Sequence, residues 1–525
     1  MAISPQTERH AENAAATLFA ISLQGKKALM LLISALIVYA TAFQGSRGIY
    51  EPDEGRYSHV ALQMLKSGDW LIPRFNVDTE HFTKPPLTYW ITAAAMWLLG
   101  RNEWAIRLPL AAAFIATVLL MYSMGKRIAP AGPWVPALCY ATFPITFGAA
   151  NVLTTDTFLT LFEALAATGY VYAITETQPS RRPRFFLLMW LGFGLAFLTK
   201  GPPGILFLLP FLLGGFLLRR PRFLREFFHP LGLLLFCILG FGWFAVVLYQ
   251  RPELLNYFLM DEVVGRVVTA QHDRNAQWYK AFVIYIPGLV FGLFPWTFAA
   301  GRLLPAWARR LHPKYFRRHS SHRSLTTLLL LWILLPLVIF MLAKSRLILY
   351  ILPLFIPLSL LLGRSLQYRP LFPSQRTRYL FLGWVALLLC AKGVYGLVPN
   401  TNDDRFILRH FEESLHEVPA TLLFVDNVPS WGMSIYLDCD IYWTWAIEPD
   451  PGKAHYGRLP LSALLCRLKR PMLIICNEKK LRPVKEELER LVLQPDQDKI
   501  FGKDLHLMLF HQECKEQGGM SKENQ

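Results

Sequence analysis

Charge is the first scarcity. Only 17% of the 525 residues are Asp, Glu, Lys or Arg, against roughly 25% in soluble chains, while 53% are hydrophobic. The deficit is concentrated in long apolar runs, which excludes a disordered or collagenous chain and a conventional soluble enzyme. Cysteine is scarce too, at seven residues, so this is not a small disulfide-stapled scaffold. The cysteine spacings contain no CxxC and do not suggest structural zinc. No signal peptide with a cleavage site precedes the first apolar segment; a polar tail, 1–27, leads directly into it, and that segment is expected to stay as an uncleaved anchor.

What is there reads as a polytopic, mostly α membrane protein. Apolar segments suited to crossing about 30 Å of hydrocarbon lie near 28–43, 87–99, 105–124, 133–150, 153–174, 185–199, 202–218, 230–249, 281–300, 325–343, 347–363 and 379–398. The net charge of +17 fits basic loops retained on the cytoplasmic side, and no nucleic-acid partner is expected. Arg181, Arg182 and Arg184, then Arg219 to Arg225, Arg302 to Arg323 and Arg364 to Arg378 mark those inner loops. Their alternation places 200–202, 250–280, 344–346 and everything after 400 outside. The same parity run from the N-terminus works only if 105–150 makes one net crossing, with 105–124 lying at the interface or re-entrant. The expected total is 11–13 transmembrane helices in a domain spanning 28–398, with outer loops at 44–86 and 250–280.

After residue 400 the pattern changes. Thr421–Asp426, Met472–Cys476 and Leu505–Phe510 read as short strands and Val484–Leu493 as an amphipathic helix, so 399–525 is expected to be a small α/β domain outside the membrane. It has no phosphate-binding glycine loop and no nucleophile elbow. Cys439, Cys466, Cys476 and Cys514 fall in it, and four cysteines allow three pairings between which sequence cannot choose.

The chemistry gathers at outer span ends. The loop 44–86 is long for a connection and crowds Glu51, Asp53, Glu54, Arg56 and Tyr57 beyond the first span, with Lys84 at the mouth of the second. Carboxylates there suit a hydroxyl or a cation, and Lys or Arg suits phosphate; equally, these are solvated or snorkelling charges. Asp156, after Thr154 and Thr155, is either a site residue facing a cavity or part of a helix cap. Lys200 precedes a glycine-proline break and either faces a lipid phosphate or ends a helix. The loop 250–280 offers Glu262, Arg266 and His272, and Arg346 with Tyr350 closes the set.

The order of these pieces resembles the GT-C-type glycosyltransferases that use lipid-linked sugars, particularly the aminoarabinose transferase and protein O-mannosyltransferase superfamily. The resemblance is carried by Pro52-Asp53-Glu54-Gly55-Arg56-Tyr57, Gly68-Asp69-Trp70-Leu71-Ile72-Pro73, Phe82-Thr83-Lys84-Pro85-Pro86-Leu87, Leu153-Thr154-Thr155-Asp156, Leu198-Thr199-Lys200-Gly201-Pro202 and Pro295-Trp296. It implies an inverting transfer from undecaprenyl phosphate, of 4-amino-4-deoxy-L-arabinose or another aminosugar or hexose, to lipid A or a related envelope acceptor. The site would face the periplasm from a bacterial inner membrane. The implied roles are catalysis for Asp53 and Asp156, acceptor positioning for Glu54, and donor-phosphate contact for Lys84 and Arg266, with Arg56, Tyr57, Lys200, Arg346 and Tyr350 in support. Thr83 stands where those enzymes carry a glutamate, and Glu262 where a histidine is expected; Glu80, His81, Glu262 and His272 are left as candidates for a rearranged divalent-metal site. Two alternatives remain open: protein O-glycosylation, and a lipid or sugar transporter.

Overall fold

The computed structural model describes residues 26–217, 222–264, 275–311, 321–398, 400, 402–414, 417–427, 429–446, 459–501 and 505–512. It is a mostly helical, multi-pass membrane body with a small sheet domain near the C-terminus. In chain order the body begins with α1 (Lys26–Thr41), α2 (Asp53–Ser67), α3 (Leu87–Leu99) and α4 (Glu103–Ile128). Next come two short pieces, α5 (Trp134–Thr142) and α6 (Pro144–Ala149), then α7 (Thr155–Thr175), α8 (Arg182–Lys200), α9 (Leu208–Leu217) and α10 (Pro230–Gln250). The last group is α11 (Lys280–Gly292), α12 (Thr297–Leu311), α13 (Ser321–Leu342), α14 (Ile348–Leu366) and α15 (Gln375–Tyr395). Among the described residues six helices are long and apolar enough to cross a bilayer, or seven if α11 and α12, bent by 111°, form one span. Shorter apolar helices occupy Met30–Thr41, Leu87–Leu99 and Pro202–Leu217.

The structure does not make 105–124 a re-entrant segment. Residues 103–128 form one continuous helix of 26 residues, about 39 Å long at ~1.5 Å per residue. The helix that does not cross is α3, whose 13 residues reach only about 20 Å. Its two ends lie on one side. Lys66, at the end of α2, and Arg101, just beyond α3, both pair with Asp438, at 2.9 and 3.1 Å, and Trp90 of α3 donates to the Trp70 carbonyl of the first loop at 2.6 Å. The parity conflict therefore resolves at α3, with α4 a full crossing and the broken pair α5–α6 leading back.

Within the body, α7 and α8 lie closest because glycines let their backbones meet. A Cβ on Gly192 would stand 2.4 Å from the Ala166 nitrogen, and one on Gly169 2.5 Å from the Met189 nitrogen. Lipid offers no hydrophobic drive between helices, so such close contact and interhelical hydrogen bonds hold them. Tyr170 stacks on Phe211 at 4.1 Å and donates to its carbonyl at 2.7 Å. Trp296, at the bend between α11 and α12, donates to Thr142 Oγ1 at 2.9 Å.

The C-terminal sheet has five strands: β1 (Thr421–Val425), β2 (Asp440–Thr444), β3 (Met472–Asn477), β4 (Gln497–Phe501) and β5 (Leu505–Phe510), in the order β2-β1-β3-β5-β4. β1 pairs in parallel with β2 and β3, while β5 runs antiparallel to β3 and β4. Alternation along each strand splits the side chains between two apolar layers. Leu423, Val425, Ile474 and Phe510 pack with Val484 and Leu488 of α17 (Glu478–Arg490), which follows α16 (Asp404–Ser414) in the helix order. Leu422, Phe424, Leu473 and Leu509 face Trp431, Met433 and, from the first loop, Phe75. Phe75 and Trp431 stack at 4.4 Å, Asn76 donates to the Ile441 carbonyl at 3.2 Å, and Arg467 pairs with Asp78 at 2.9 Å. Cys466 is disulfide-bonded, whereas Cys439 and Cys476 are free and buried.

Candidate active site

The first loop is pinned from below by a buried carboxylate. Pro52 precedes α2, and Asp53 and Glu54 fill its first turn, where the positive end of the helix dipole favours acids. Glu54 is fully buried. It accepts from Arg47 Nη1 at 2.7 Å, from Arg107 Nε and Nη2 at 2.9 and 2.7 Å, and from the backbone N–H of Tyr50 and Leu153 at 3.0 and 3.2 Å. Burial opposes its charge, yet Arg107 and Arg47 hold its carboxyl down at about 2. The acceptor-positioning role expected for Glu54 is therefore corrected: with its oxygens saturated from below, it fastens the loop to α4 and to the start of α7.

Asp53 points the other way. Its side chain is 44% exposed and pairs with Arg56 at 2.5 Å, so Arg56 answers a carboxylate before any phosphate. Arg56 also lies 5.2 Å over the ring of Tyr57, and its Nε, buried, has no hydrogen-bond partner.

The other half of the site comes from α7, α8 and α14. Thr154 caps α7 by accepting from the Asp156 N–H at 3.3 Å, which frees the Asp156 carboxylate from capping. That carboxylate instead forms a buried ion pair with Lys200, the last residue of α8. Each charge sits at the helix end whose dipole favours it. Lys200 Nζ also lies 4.6 Å over the ring of Tyr350, so three separately expected residues meet in one place. Tyr57 lies between the two halves. Burial raises its phenol's pKa, and the charges of Arg56, Asp53, Lys200 and Asp156 all act on it.

Other expected residues are placed differently. Lys84 is half-buried in the bend leading into α3. Arg346 is buried and donates to the carbonyls of Asn275, Gln277 and Met341 at 2.9, 3.1 and 3.2 Å; it staples the chain after α10 to the end of α13 rather than facing a phosphate. Arg266 and His272 lie outside the described residues, as does the Glu262 side chain. For a metal, Glu80 is already engaged by Arg251 at 3.2 Å and Arg74 at 3.6 Å. His81 meets Thr83 Oγ1 at 2.9 Å and packs on Phe75 at 4.3 Å. Among the described residues no three His, Cys, Asp or Glu side chains gather into a metal-sized group. Glu80 is thus taken up by two arginines, while Glu262 and His272 lie outside what the described residues place.

Three features escaped the sequence reading. Glu163 lies two turns below Asp156 on α7, fully buried, with Oε2 unbonded; a lone acid in an apolar segment, seven residues from Asp156 and so on its face, was the available signal. The Arg47–Glu54–Arg107 unit joins the first loop to α4 across 53 residues, with no local pattern to announce it. Glu51 and Asp404, on the loop and on α16, bury their carboxyls side by side. Burial pushes Glu51 up to about 7, and burial together with the Glu51 charge pushes Asp404 upward.

The chain is similar to known proteins in sequence and in fold. The family model for dolichyl-phosphate-mannose-protein mannosyltransferase matches residues 83–249. An undecaprenyl phosphate-alpha-4-amino-4-deoxy-L-arabinose arabinosyl transferase of Pectobacterium carotovorum subsp. carotovorum is 29% identical over 376 residues, 69% of this chain and 62% of the relative. The second such transferase of Pseudomonas fluorescens is 31% identical over 377 residues, 71% and 65%. The chain thus spans a little under two thirds of the length of these relatives. Among solved structures, ArnT from Cupriavidus metallidurans bound to undecaprenyl phosphate superposes with a TM-score of 0.71 at 19% identity, covering 92% of this chain and 98% of that one. That likeness fixes the fold.

Proposed function

We propose that this chain, whose sequence relatives are named as aminoarabinose transferases, transfers 4-amino-4-deoxy-L-arabinose from undecaprenyl phosphate to lipid A. The reaction is assigned to the periplasmic face of a bacterial inner membrane. One observation carries the reading: the buried Asp156–Lys200 pair and the half-exposed Asp53–Arg56 pair flank a single tyrosine at the ends of the spans. A sugar leaving a polyprenyl phosphate takes on positive character while charge collects on the departing phosphate. Lys200 is the cation for that charge, held in place by Asp156, with Lys84 and Arg266 as further contacts. Asp53 orients the acceptor. A lipid A phosphate is already ionised and needs no strong base, so Asp53 positions it rather than deprotonating it; a hydroxyl acceptor would need a base. Tyr57 and Tyr350 form the aromatic wall between donor and acceptor groups.

The test is mass spectrometry of lipid A from cells lacking the gene and from cells complemented with wild type or Asp53→Asn. The expected result is a sugar-sized mass that disappears in the deletion, returns with wild type and stays absent with the variant. Identical spectra from all strains, grown where the protein is expressed, would transfer the reading to a protein acceptor. A flippase would move its substrate across proteoliposomes unchanged; the expected outcome is covalent transfer.

A further inference from the structure

A cavity of about 360 Å³ opens between α1, α6 and α15, lined among others by Gln44, Arg47, Phe147, Asn151, Lys392 and Tyr395. Its size is within the ~300–1,000 Å³ range of ligand sites. None of Asp53, Arg56, Asp156, Lys200 or Tyr350 lines it, so it is separate from the site described above. No Asp or Glu lines it either.

The cavity is electropositive. Arg47 and Arg107 share the single carboxylate of Glu54, leaving one positive charge in the wall. Lys392 adds an amine, which a bound anion would hold in its charged form. Its ammonium donates to the Ala40 carbonyl at 3.0 Å and lies 5.6 Å over the Phe147 ring, which leaves N–H groups to spare on a group with three donors. The wall also holds unused acceptors. Gln44, 1% exposed, spends its amide N–H groups on the Ala40 and Ala150 carbonyls, and its Oε1 receives no hydrogen bond. Asn151 donates to the Phe147 carbonyl at 2.6 Å while its Oδ1, also buried, receives none. Burying such oxygens without a donor is costly. Both oxygens are closed off from solvent, so the group this wall offers a ligand is the Lys392 amine, and the ligand that answers it carries an anion.

The location says where that ligand comes from. Lys392 lies in the last turn of α15, and Gln44 just beyond the last turn of α1, so both stand at span ends. Only 6% of the spanning window of α15 is buried within the protein, and Phe43 beside the cavity is 51% exposed. The opening therefore lies near the ends of both helices, beside exposed apolar surface.

We propose that this seam binds the phosphate headgroup of an anionic membrane lipid, with Lys392 on the phosphate. The lipid docks against the Arg47–Glu54–Arg107 unit that fastens the first loop, and so couples membrane composition to the residues beneath Asp53.

Native mass spectrometry of the full chain tests this, with micelles doped with dioleoyl phosphatidylglycerol or dioleoyl phosphatidylcholine and no sugar donor. The expected result is one phosphatidylglycerol retained by wild type and by Lys392→Arg. Occupancy falls about tenfold or more in Lys392→Gln, the factor carried by one charge-assisted hydrogen bond. Lys200→Met keeps the lipid, which separates this seam from the donor side, and the Lys392→Arg arm shows that loss is not unfolding. Equal retention by Lys392→Gln, equal retention of phosphatidylcholine, or displacement by millimolar inorganic phosphate would each overturn the proposal. Because no transfer is measured, failure here leaves the glycosyl-transfer reading untouched.

Discussion

Adjacent acids on α2 are assigned opposite duties, and exchanging each for its amide separates them. Glu54→Gln leaves two guanidinium groups facing one neutral amide in a site where Glu54 and Arg107 are essentially inaccessible to solvent. Removing one partner of a buried ion pair costs about 3–5 kcal/mol. The carboxyl's own titration gives the same order. Its depression from 4.5 to about 2 corresponds, at about 1.4 kcal/mol per pH unit, to roughly 3 kcal/mol. For an acid with a lowered pKa that stability is fully present above its unfolded value and lost only as pH falls toward 2, so it is intact at neutral pH. Asp53→Asn removes a pair whose acid is 44% exposed, and screening limits that loss to under about 1 kcal/mol. The assay is thermal unfolding followed by tryptophan fluorescence in one detergent, alongside transfer activity. Glu54→Gln is expected to lower the midpoint by several degrees and to release the first loop to protease. Asp53→Asn is expected to melt with wild type while losing transfer. A Glu54→Gln protein with wild-type melting and no transfer would refute the division and return Glu54 to the chemistry.

Other consequences follow from the same geometry. Asp156→Asn removes the partner that holds Lys200, so apparent KM for the lipid-linked donor should rise more than kcat falls, whereas Lys200→Met should raise KM and depress kcat steeply as well; steady-state kinetics at varied donor concentration distinguish them. Glu51 titrates near 4.5 when exposed and higher when buried beside Asp404, so the attachment of α16 to the first loop should weaken as pH rises between those values. The wild-type melting midpoint is expected to fall from pH 5 to pH 8, and Asp404→Asn to flatten that slope; parallel profiles would contradict it. Gly192→Leu forces a side chain into the Ala166 backbone, and size-exclusion chromatography should show little monodisperse protein, whereas Gly383→Leu, at a position open on α15, should purify normally.

Much of the fold was legible because a bilayer forces its signature into composition. The segment expected at 87–99 coincides with α3, and that expected at 153–174 differs from α7 by two residues at the start and one at the end. Orientation of the early segments was not legible, since hydropathy scores a surface helix of 13 residues much as it scores a span, and only contacts to Asp438 reveal that α3 returns. In the sheet, the three apolar strands were readable. The two edge strands were not: β2, Asp-Ile-Tyr-Trp-Thr, was passed over, and β4, Gln-Asp-Lys-Ile-Phe, carries charge of the kind that discourages edge pairing. Asp53, Asp156 and Lys200 stood out for the same reason throughout: charge at a membrane boundary is costly and seldom idle. Their partners did not, because the Asp156–Lys200 pair closes across 44 residues and nothing in local pattern encodes it. Glu54 was misread because a sequence records that a carboxylate is near, not which way it faces.

The clasp between the first loop and the sheet domain also sets the order in which this molecule matures. His59 reaches Ser434 across 375 residues, at 2.7 Å, and Asn76 reaches Ile441 across 365. Synthesis runs from the N-terminus, so a ribosome that has finished every span has still not made Trp431, the ring on which Phe75 rests. Until then the loop carrying Asp53 has its floor but no roof, and Phe75 faces water. Maturation of the loop is thus a late checkpoint, passed only by chains completed through the sheet domain, and a nascent chain halted after α15 would hold its spans in the membrane with the loop still open.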